Sequence, residues 1–248
     1  MGQAVCAAVQ ADSSLELVAA IDPHHAGEKV RGESGIVISA TPDVLINAKA
    51  SVVVDFTALD AAMANLEWCS NNGIHAVVGT TGFSVSDLDK LGKLFDETDA
   101  TPNCLIAPNF AIGAVLMMRF AEMAAPYFET AEVIEFHHDA KVDSPSGTAV
   151  HTAARIAAAS SDWAPDPTQK ETSPGARGAM PSKGVHVHAV RMRGMVAHQE
   201  VIMGPMGQTL TIRHDTIDRS SFMPGVLIAA KSIATKPGLT IGLDTLLF

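Results

Sequence analysis

Short apolar runs alternate with stretches of helical spacing through the first hundred residues. Residues 15–21 (LELVAAI), 51–56 (SVVVDF), 74–78 (IHAVV) and 104–107 (CLIA) are rich in Val, Ile, Leu and Ala and read as buried strands. Residues 3–10, 58–70 and 84–97 read as helices. Ser84 stands as an N-cap with Asp87 three positions on, a looser form of the capping box. Near-continuous apolar strands separated by helices of this length predict parallel βαβ units.

The pattern changes after Phe110. Residues 111–125 read as a helix halted by Pro126, 131–138 as a strand and 148–159 as a second helix. Residues 161–183 are rich in Pro, Ser, Thr and Gly and are expected to form a long exposed loop. Runs at 185–192, 196–203 and 209–214 follow as a meander, with GPMG at 204–207 marking an antiparallel hairpin between the last two. A helix over 220–234 and a short tail complete the chain. The expected architecture is an α/β Rossmann-type nucleotide-binding domain over 1–110, joined by the C-terminal segment 218–248. An α+β domain with an open mixed sheet occupies 111–217, for substrate binding and oligomerisation. The open sheet face needs a cover, and a partner subunit would supply one.

Composition narrows the functions available. Of 248 residues 47% are hydrophobic and 18% charged, which suits a globular core. A formal net charge of -10 argues against nucleic acid, since phosphate binding needs a concentrated positive face. An anionic ligand must therefore be captured by a local basic cluster. Three scattered cysteines (Cys6, Cys69, Cys104) fit reduced thiols in the cytoplasm better than a disulfide framework. No long apolar run reads as a membrane span.

A dinucleotide site is expected in the first domain. Gly2 opens a helix that leads to the run 15–21, with Asp22 at its end. An acidic residue about 20 positions after a glycine turn is how a Rossmann unit holds the adenosine ribose, while the helix start cradles the pyrophosphate. A complete fingerprint carries a first strand and two earlier glycines ahead of Gly2, whereas this chain begins at Met1. The expectation is therefore a shortened start, with the first Rossmann strand missing. Three further strand ends carry Phe56-Thr57, Gly79-Thr80-Thr81-Gly82 and Pro108-Asn109-Phe110, the place where open α/β sheets bind ligands.

The chemistry concentrates in residues 135–149, EFHHDAKVDSPSGTA. For a small dianion reduced by hydride, each element has a task. The backbone N–H groups of Ser146, Gly147 and Thr148, at a helix start, bind one carboxylate. His138 holds the second. Lys141, a cation at neutral pH, donates a proton as hydride arrives. His137 acts as acid or tunes Lys141. Adjacent strand residues face opposite ways, so the two histidines are expected to do different work.

This stretch resembles the signature E-x-H-H-x-x-K-x-D-x-P-S-G-T-A of the dihydrodipicolinate reductase family, matched at Glu135, His137, His138, Lys141, Asp143, Pro145, Ser146, Gly147, Thr148 and Ala149. The segments VVDFT, GTTGF, APNFAIG, GMVAHQEV, TLTIRHD and DRSSFMPGV resemble the same family. The likeness covers essentially the whole chain apart from the missing start. It implies a two-domain cytoplasmic reductase of lysine and diaminopimelate biosynthesis, a homotetramer built through its C-terminal sheets. Such an enzyme reduces the cyclic product of dihydrodipicolinate synthase with NADH or NADPH. By position, His137 is implied as proton donor or acceptor and Lys141 as proton donor. His138, Gly147 and Thr148 are implied as substrate binders. Gly2, already read as the pyrophosphate turn, joins the implied cofactor contacts Asp22, Gly79, Thr80, Thr81, Ala107, Pro108, Asn109 and Phe110. Arg219 and Phe222 are implied to line the site from the returning C-terminal segment. Pro23-His24-His25 follows Asp22 with no arginine to receive a 2′-phosphate, so NADH is expected to serve at least as well as NADPH.

Other readings compete. The pairs His24-His25, His137-His138 and His186/His188 raise a metallohydrolase, though no H-E-x-x-H accompanies them and no metal is expected. A non-enzymatic dinucleotide sensor would leave the His-His-Lys cluster without purpose. A dehydrogenase of another small dicarboxylic acid fits the fold equally well, because fold alone does not fix substrate.

Overall fold

The computed structural model describes residues 1–32, 34–98 and 102–248. The chain divides into two compact units. One comprises Met1–Ala111 with Arg219–Phe248, the other Ile112–Asp218.

The first unit is built on a parallel sheet. Helix α1 (Gly2–Ala11) and the short helix α2 (Asp43–Asn47) precede β1 (Val52–Asp55). Helix α3 (Leu59–Asn71), β2 (His75–Val78), α4 (Val85–Leu94) and β3 (Cys104–Ile106) follow as βαβ units. Strands β1, β2 and β3 pair in parallel, in that order. Alternation divides their side chains between two covered faces. Ala76, Val78, Cys104 and Ile106 join Leu66, Leu91 and Phe95 in one core cluster, while Val77 and Leu105 are buried on the other face. Burial of residues as large as Leu66 or Phe95 stabilises by about 1.5–3 kcal/mol each. The capping box is present at α4. Ser84 Oγ accepts from the Asp87 N–H, and the Asp87 carboxylate accepts from the Ser84 N–H.

The second unit holds α5 (Ile112–Ala124), β4 (Thr130–His137), α6 (Gly147–Ala159), β5 (Ala179–Ser182), β6 (Val185–Arg191), β7 (Ala197–Gly204) and β8 (Leu210–Thr216). Its sheet is mixed, ordered β5-β6-β4-β7-β8, with β4 parallel to β6 and antiparallel to β7. One face, carrying Val133, Glu135, Val187, Gln199 and Val201, lies under α5 and α6; Gln199 Nε2 donates to Thr152 Oγ1 of α6 at 2.7 Å. The opposite face carries Ile134, Phe136, Val190 and Ile202 between ion pairs such as Arg213–Glu200 (2.9 Å).

The chain then returns to the first unit through α7 (Met223–Ser232), which packs on β1 and β2, and β9 (Leu239–Ile241), which extends the parallel sheet beside β3. Buried Asn103 fastens this return: its Nδ2 donates to the carbonyls of Ile233 (2.9 Å) and Ala234 (3.2 Å), and its Oδ1 accepts from the Gly238 N–H (3.1 Å).

Four expectations need correction. The run 15–21 forms no strand; its pairing is limited to a parallel bridge at Ile21, where the Ser39 carbonyl accepts from the Asp22 N–H and the Ser39 N–H donates to the Ala20 carbonyl. The three late runs are not a simple meander, since β4 inserts between β6 and β7 and only β7 and β8 form a hairpin. The stretch 161–183 is not all loop: β5 pairs with β6 inside it. The tail after α7 contains β9, three residues whose strand character comes from pairing with β3 rather than from any local run.

Candidate functional site

The candidate ligand-binding loops of unit 1 lie where its parallel strands end. Asp55, buried at the end of β1, accepts from the Thr57 N–H and hydroxyl (both 2.7 Å) and from Asn65 Nδ2 (2.8 Å). This carboxylate fixes the first turn. Beyond β2, Gly79 lies against the Phe56 ring so closely that a Cβ would overlap it. Thr80 is buried, its hydroxyl donating to the Thr57 carbonyl at 2.8 Å, whereas Thr81 is exposed. Beyond β3, Ala107 is buried, Pro108 is exposed, and Asn109 Oδ1 accepts from the Ala111 N–H at 2.8 Å. Phe110 is buried with its ring centroid 5.6 Å from that of Phe56. The three strand ends therefore form one tied cluster.

Helix α1 opens at Gly2 without a side-chain cap or an acidic residue in its first turn, and the space beside Gly2 is open. First-turn amides in that condition suit a phosphate. Asp22 follows the Ile21–Ser39 bridge, and its Oδ1 accepts from the His24 N–H at 2.9 Å. Neighbouring His25 is held by Glu28 at 3.2 Å, which raises its pKa. The uncapped Gly2 helix start fits the pyrophosphate of a dinucleotide, whereas the missing side chain at Gly79 serves packing of the Phe56 ring. Arg219 is exposed and Phe222 half-buried, in a short 3-10 helix that begins the returning segment.

In unit 2, His137 ends β4 and His138 lies exposed just beyond it. His137 and Glu135 share a face of the strand, and His137 Nδ1 contacts Glu135 Oε2. Burial lowers the His137 pKa; the Glu135 hydrogen bond opposes this, and the positive charges of Lys141 and Arg191 reinforce it. His137 is thereby held neutral through the physiological range. Lys141 Nζ donates to both oxygens of Asp143 at 2.7 and 2.9 Å, which holds the Asp143 carboxyl below its ordinary value.

The start of α6 refines the anion-site expectation. Ser146 is the N-cap, and its hydroxyl accepts from the Ala149 N–H at 3.2 Å. Its own N–H donates to Glu135 Oε1 at 3.0 Å and is therefore not available to a ligand. Gly147 and Thr148 remain as first-turn donors without an intrahelical acceptor. Of the three expected donors, Ser146 is corrected to a structural role.

Sequence reasoning missed Arg191. At the end of β6 it pairs in register with His137, and its guanidinium donates to Glu135 Oε2 (2.7 Å), Glu135 Oε1 (2.8 Å) and the Asp143 carbonyl (2.7 Å). No local signal announces it, since Arg191 and Glu135 are 56 positions apart. The histidines weighed for a metal have carboxylate neighbours instead: His186 Nε2 lies 2.9 Å from Asp166, and His188 Nε2 lies 2.7 Å from Glu132. Among the described residues no group of three or more His, Cys, Asp and Glu is placed to hold a metal ion. Nor, among them, is any helix long and apolar enough to cross a membrane.

Comparison with known proteins bears on the whole chain. Residues 1–110 match the family model "Dihydrodipicolinate reductase, N-terminus" and residues 113–247 the model "Dihydrodipicolinate reductase, C-terminus". A 4-hydroxy-tetrahydrodipicolinate reductase of Nocardia farcinica is 53% identical, with 100% of this chain and 94% of the relative covered. One of Mycobacterium marinum is 48% identical at the same coverages. Among solved structures, a dipicolinate-bound dihydrodipicolinate reductase from Paenisporosarcina sp. TG-14 superposes with a TM-score of 0.85 at 36% identity, over 98% of this chain and 94% of that one. An amine dehydrogenase from Mycobacterium smegmatis, at 12% identity and a TM-score of 0.62 over 98% and 92%, shares the fold alone. With both family models matched in order along its length and full-length relatives at about half identity, the chain belongs to the dihydrodipicolinate reductase family.

Proposed function

We propose that this protein reduces 4-hydroxy-tetrahydrodipicolinate, which loses water to give dihydrodipicolinate, to tetrahydrodipicolinate with a hydride from NADH or NADPH and a proton, in lysine and diaminopimelate biosynthesis. The observation that carries the reading is the strand–loop–helix module 135–149. It gathers a neutral imidazole, an ammonium and two unpaired helix-start amides. That donor set suits a small dicarboxylate that gains a proton as it gains a hydride.

The reduced dinucleotide, when bound, supplies the hydride; Gly2, Asp22, Gly79, Thr80, Thr81, Ala107, Pro108, Asn109 and Phe110 are the residues that would hold it. The Gly147 and Thr148 N–H groups bind one substrate carboxylate, favoured by the positive end of α6. His138 binds the second. Lys141 exchanges its contact with Asp143 for the substrate and delivers the proton. Neutral His137 holds or relays a proton beside it. The half-apolar sheet face bearing Ile134, Phe136, Val190 and Ile202 supports a homotetramer assembled through these sheets, and the separated free cysteines suit a cytoplasmic enzyme.

The test is to follow NADH absorbance after adding product freshly made by a dihydrodipicolinate synthase. Oxidation that depends on that product is expected; its absence in folded, NADH-binding protein overturns the substrate assignment. Run with NADPH, the same assay is expected to give kcat/KM no higher than with NADH. No arginine follows Asp22 to pair with a 2′-phosphate, and a strong NADPH preference would refute that reading of the loop.

A further inference from the structure

We propose that Glu135 and Arg191 act as a positioning pair that fixes the tautomer of His137 and ties it to the start of the substrate-binding helix. The inference rests on the proposed reduction for its activity readout, but its geometry stands within unit 2 alone.

Glu135 has no exposed surface, yet it collects four donors on two oxygens. Oε2 receives Arg191 Nη1 and contacts His137 Nδ1; Oε1 receives Arg191 Nη2 and the Ser146 N–H. Strand geometry makes this possible. Glu135 and His137 are two apart on β4, so they share a face, and the parallel register sets Arg191 opposite His137. Burial alone would raise the Glu135 carboxyl. The hydrogen bonds from Arg191, His137 and Ser146 outweigh it and hold the group below its ordinary value, hence ionised.

An ionised carboxylate only accepts hydrogen bonds. Nδ1 of neutral His137 must then carry the proton, which leaves Nε2 with a lone pair on the ring edge away from Glu135. A carboxylate beside an imidazole ordinarily drives it toward imidazolium. Here burial of the imidazole, reinforced by the positive charge of Arg191 on the same carboxylate, outweighs that drive, so the ring is oriented without being charged. Arg191 also reaches the Asp143 carbonyl, and the Asp143 carboxylate holds Lys141. One guanidinium–carboxylate pair, its carboxylate fully buried, thus sets His137, the loop carrying Lys141, and the N-cap of α6. A buried ion pair gives little net stability over apolar residues of the same size, so its placement points to specification of geometry.

Two measurements test this. In the first, long-range proton–nitrogen spectra of the wild-type imidazoles are recorded at pH 7, with His137 assigned by its loss in His137→Asn. The Nδ1–H tautomer is expected; finding the Nε2–H tautomer overturns the proposal whatever any variant does. In the second, Glu135→Gln and Arg191→Lys are assayed against wild type. Glu135→Gln is expected to lower kcat about 10²-fold, the low end of general acid–base contributions, with the KM for NADH unchanged and His137 switched to the Nε2–H tautomer. Arg191→Lys keeps the charge and gives up the fork, so it falls between the two. Variants that lose only thermal stability while retaining wild-type kcat and tautomer would reduce the pair to a structural element. Should wild type itself not turn over the substrate, the proposed function fails, while the spectra still judge the pair.

Discussion

Lys141→Ala is expected to lower kcat by about 10³-fold while leaving NADH affinity unchanged. The magnitude is the middle of what a positioned proton donor contributes, about 10²–10⁴-fold. The separation of effects follows from the architecture. Lys141 belongs to the strand–loop–helix module of the second unit, whereas the strand-end loops that suit the dinucleotide belong to the first. Removing the ammonium also strips Asp143 of its chief partner, so its carboxyl returns toward the ordinary range and the loop gains an unpaired negative charge. That charge would repel a dianionic substrate, and a rise in substrate KM is expected with the fall in kcat. Single-turnover oxidation of NADH, with binding followed separately by fluorescence, distinguishes the two. A loss smaller than about tenfold would take proton delivery away from Lys141 and give it to His137.

The parts of this site that sequence disclosed are those with local signals. The His-His-x-x-Lys spacing, the Ser-Gly-Thr helix start and the Ser84/Asp87 capping box each lie within a few residues, and the structure realises the capping box and the helix start as written. Strands β1, β2 and β3 were legible because both faces of a covered parallel sheet must be apolar. What escaped is what depends on distant partners. Insertion of β4 between β6 and β7 is a matter of sheet order, which no local period records. The three residues of β9 become a strand only beside β3, after the chain has crossed the whole second unit. Residues 15–21 have the composition of a buried strand but bridge only at Ile21, against Ser39, because composition does not record how far a pairing extends. Arg191 escaped for the same reason: its role follows from a register between strands. The retrospective clue was Glu135 itself, an acidic residue in line with Ala131 and Val133 on the inward face of β4, which demands a cation somewhere in the fold.

Arg191→Met is expected to destabilise the second unit by about 3 kcal/mol at pH 7. Breaking a buried pair by removing one member costs about 3–5 kcal/mol, because the remaining charge stays buried without its partner. The low end applies since the Arg191 side chain is 20% exposed and water can reach the vacated volume. Wild-type Glu135, with its carboxyl held below the ordinary value, contributes stability that is present above the unfolded value of 4.5 and lost as pH falls through the lower folded value. In the variant the sign reverses. Burial is no longer outweighed, the folded carboxyl rises, and the penalty for an ionised Glu135 applies at neutral pH but disappears as the group protonates. The gap between wild type and variant should therefore begin to narrow as pH falls through the raised folded value of the variant, and close only below 4.5, as pH passes the lower folded value of the wild type. Urea unfolding followed by fluorescence reads this, with Trp163 in the second unit and Trp68 in the first as an internal control. A gap that is constant with pH would mean that lost packing of the arginine stem, not an orphaned carboxylate, sets the cost. The double variant Glu135→Leu with Arg191→Met separates stability from positioning. It removes the charge along with its partner and is expected to recover most of the lost stability while remaining catalytically impaired. Stability regained without activity is what a pair retained for the orientation of His137 requires.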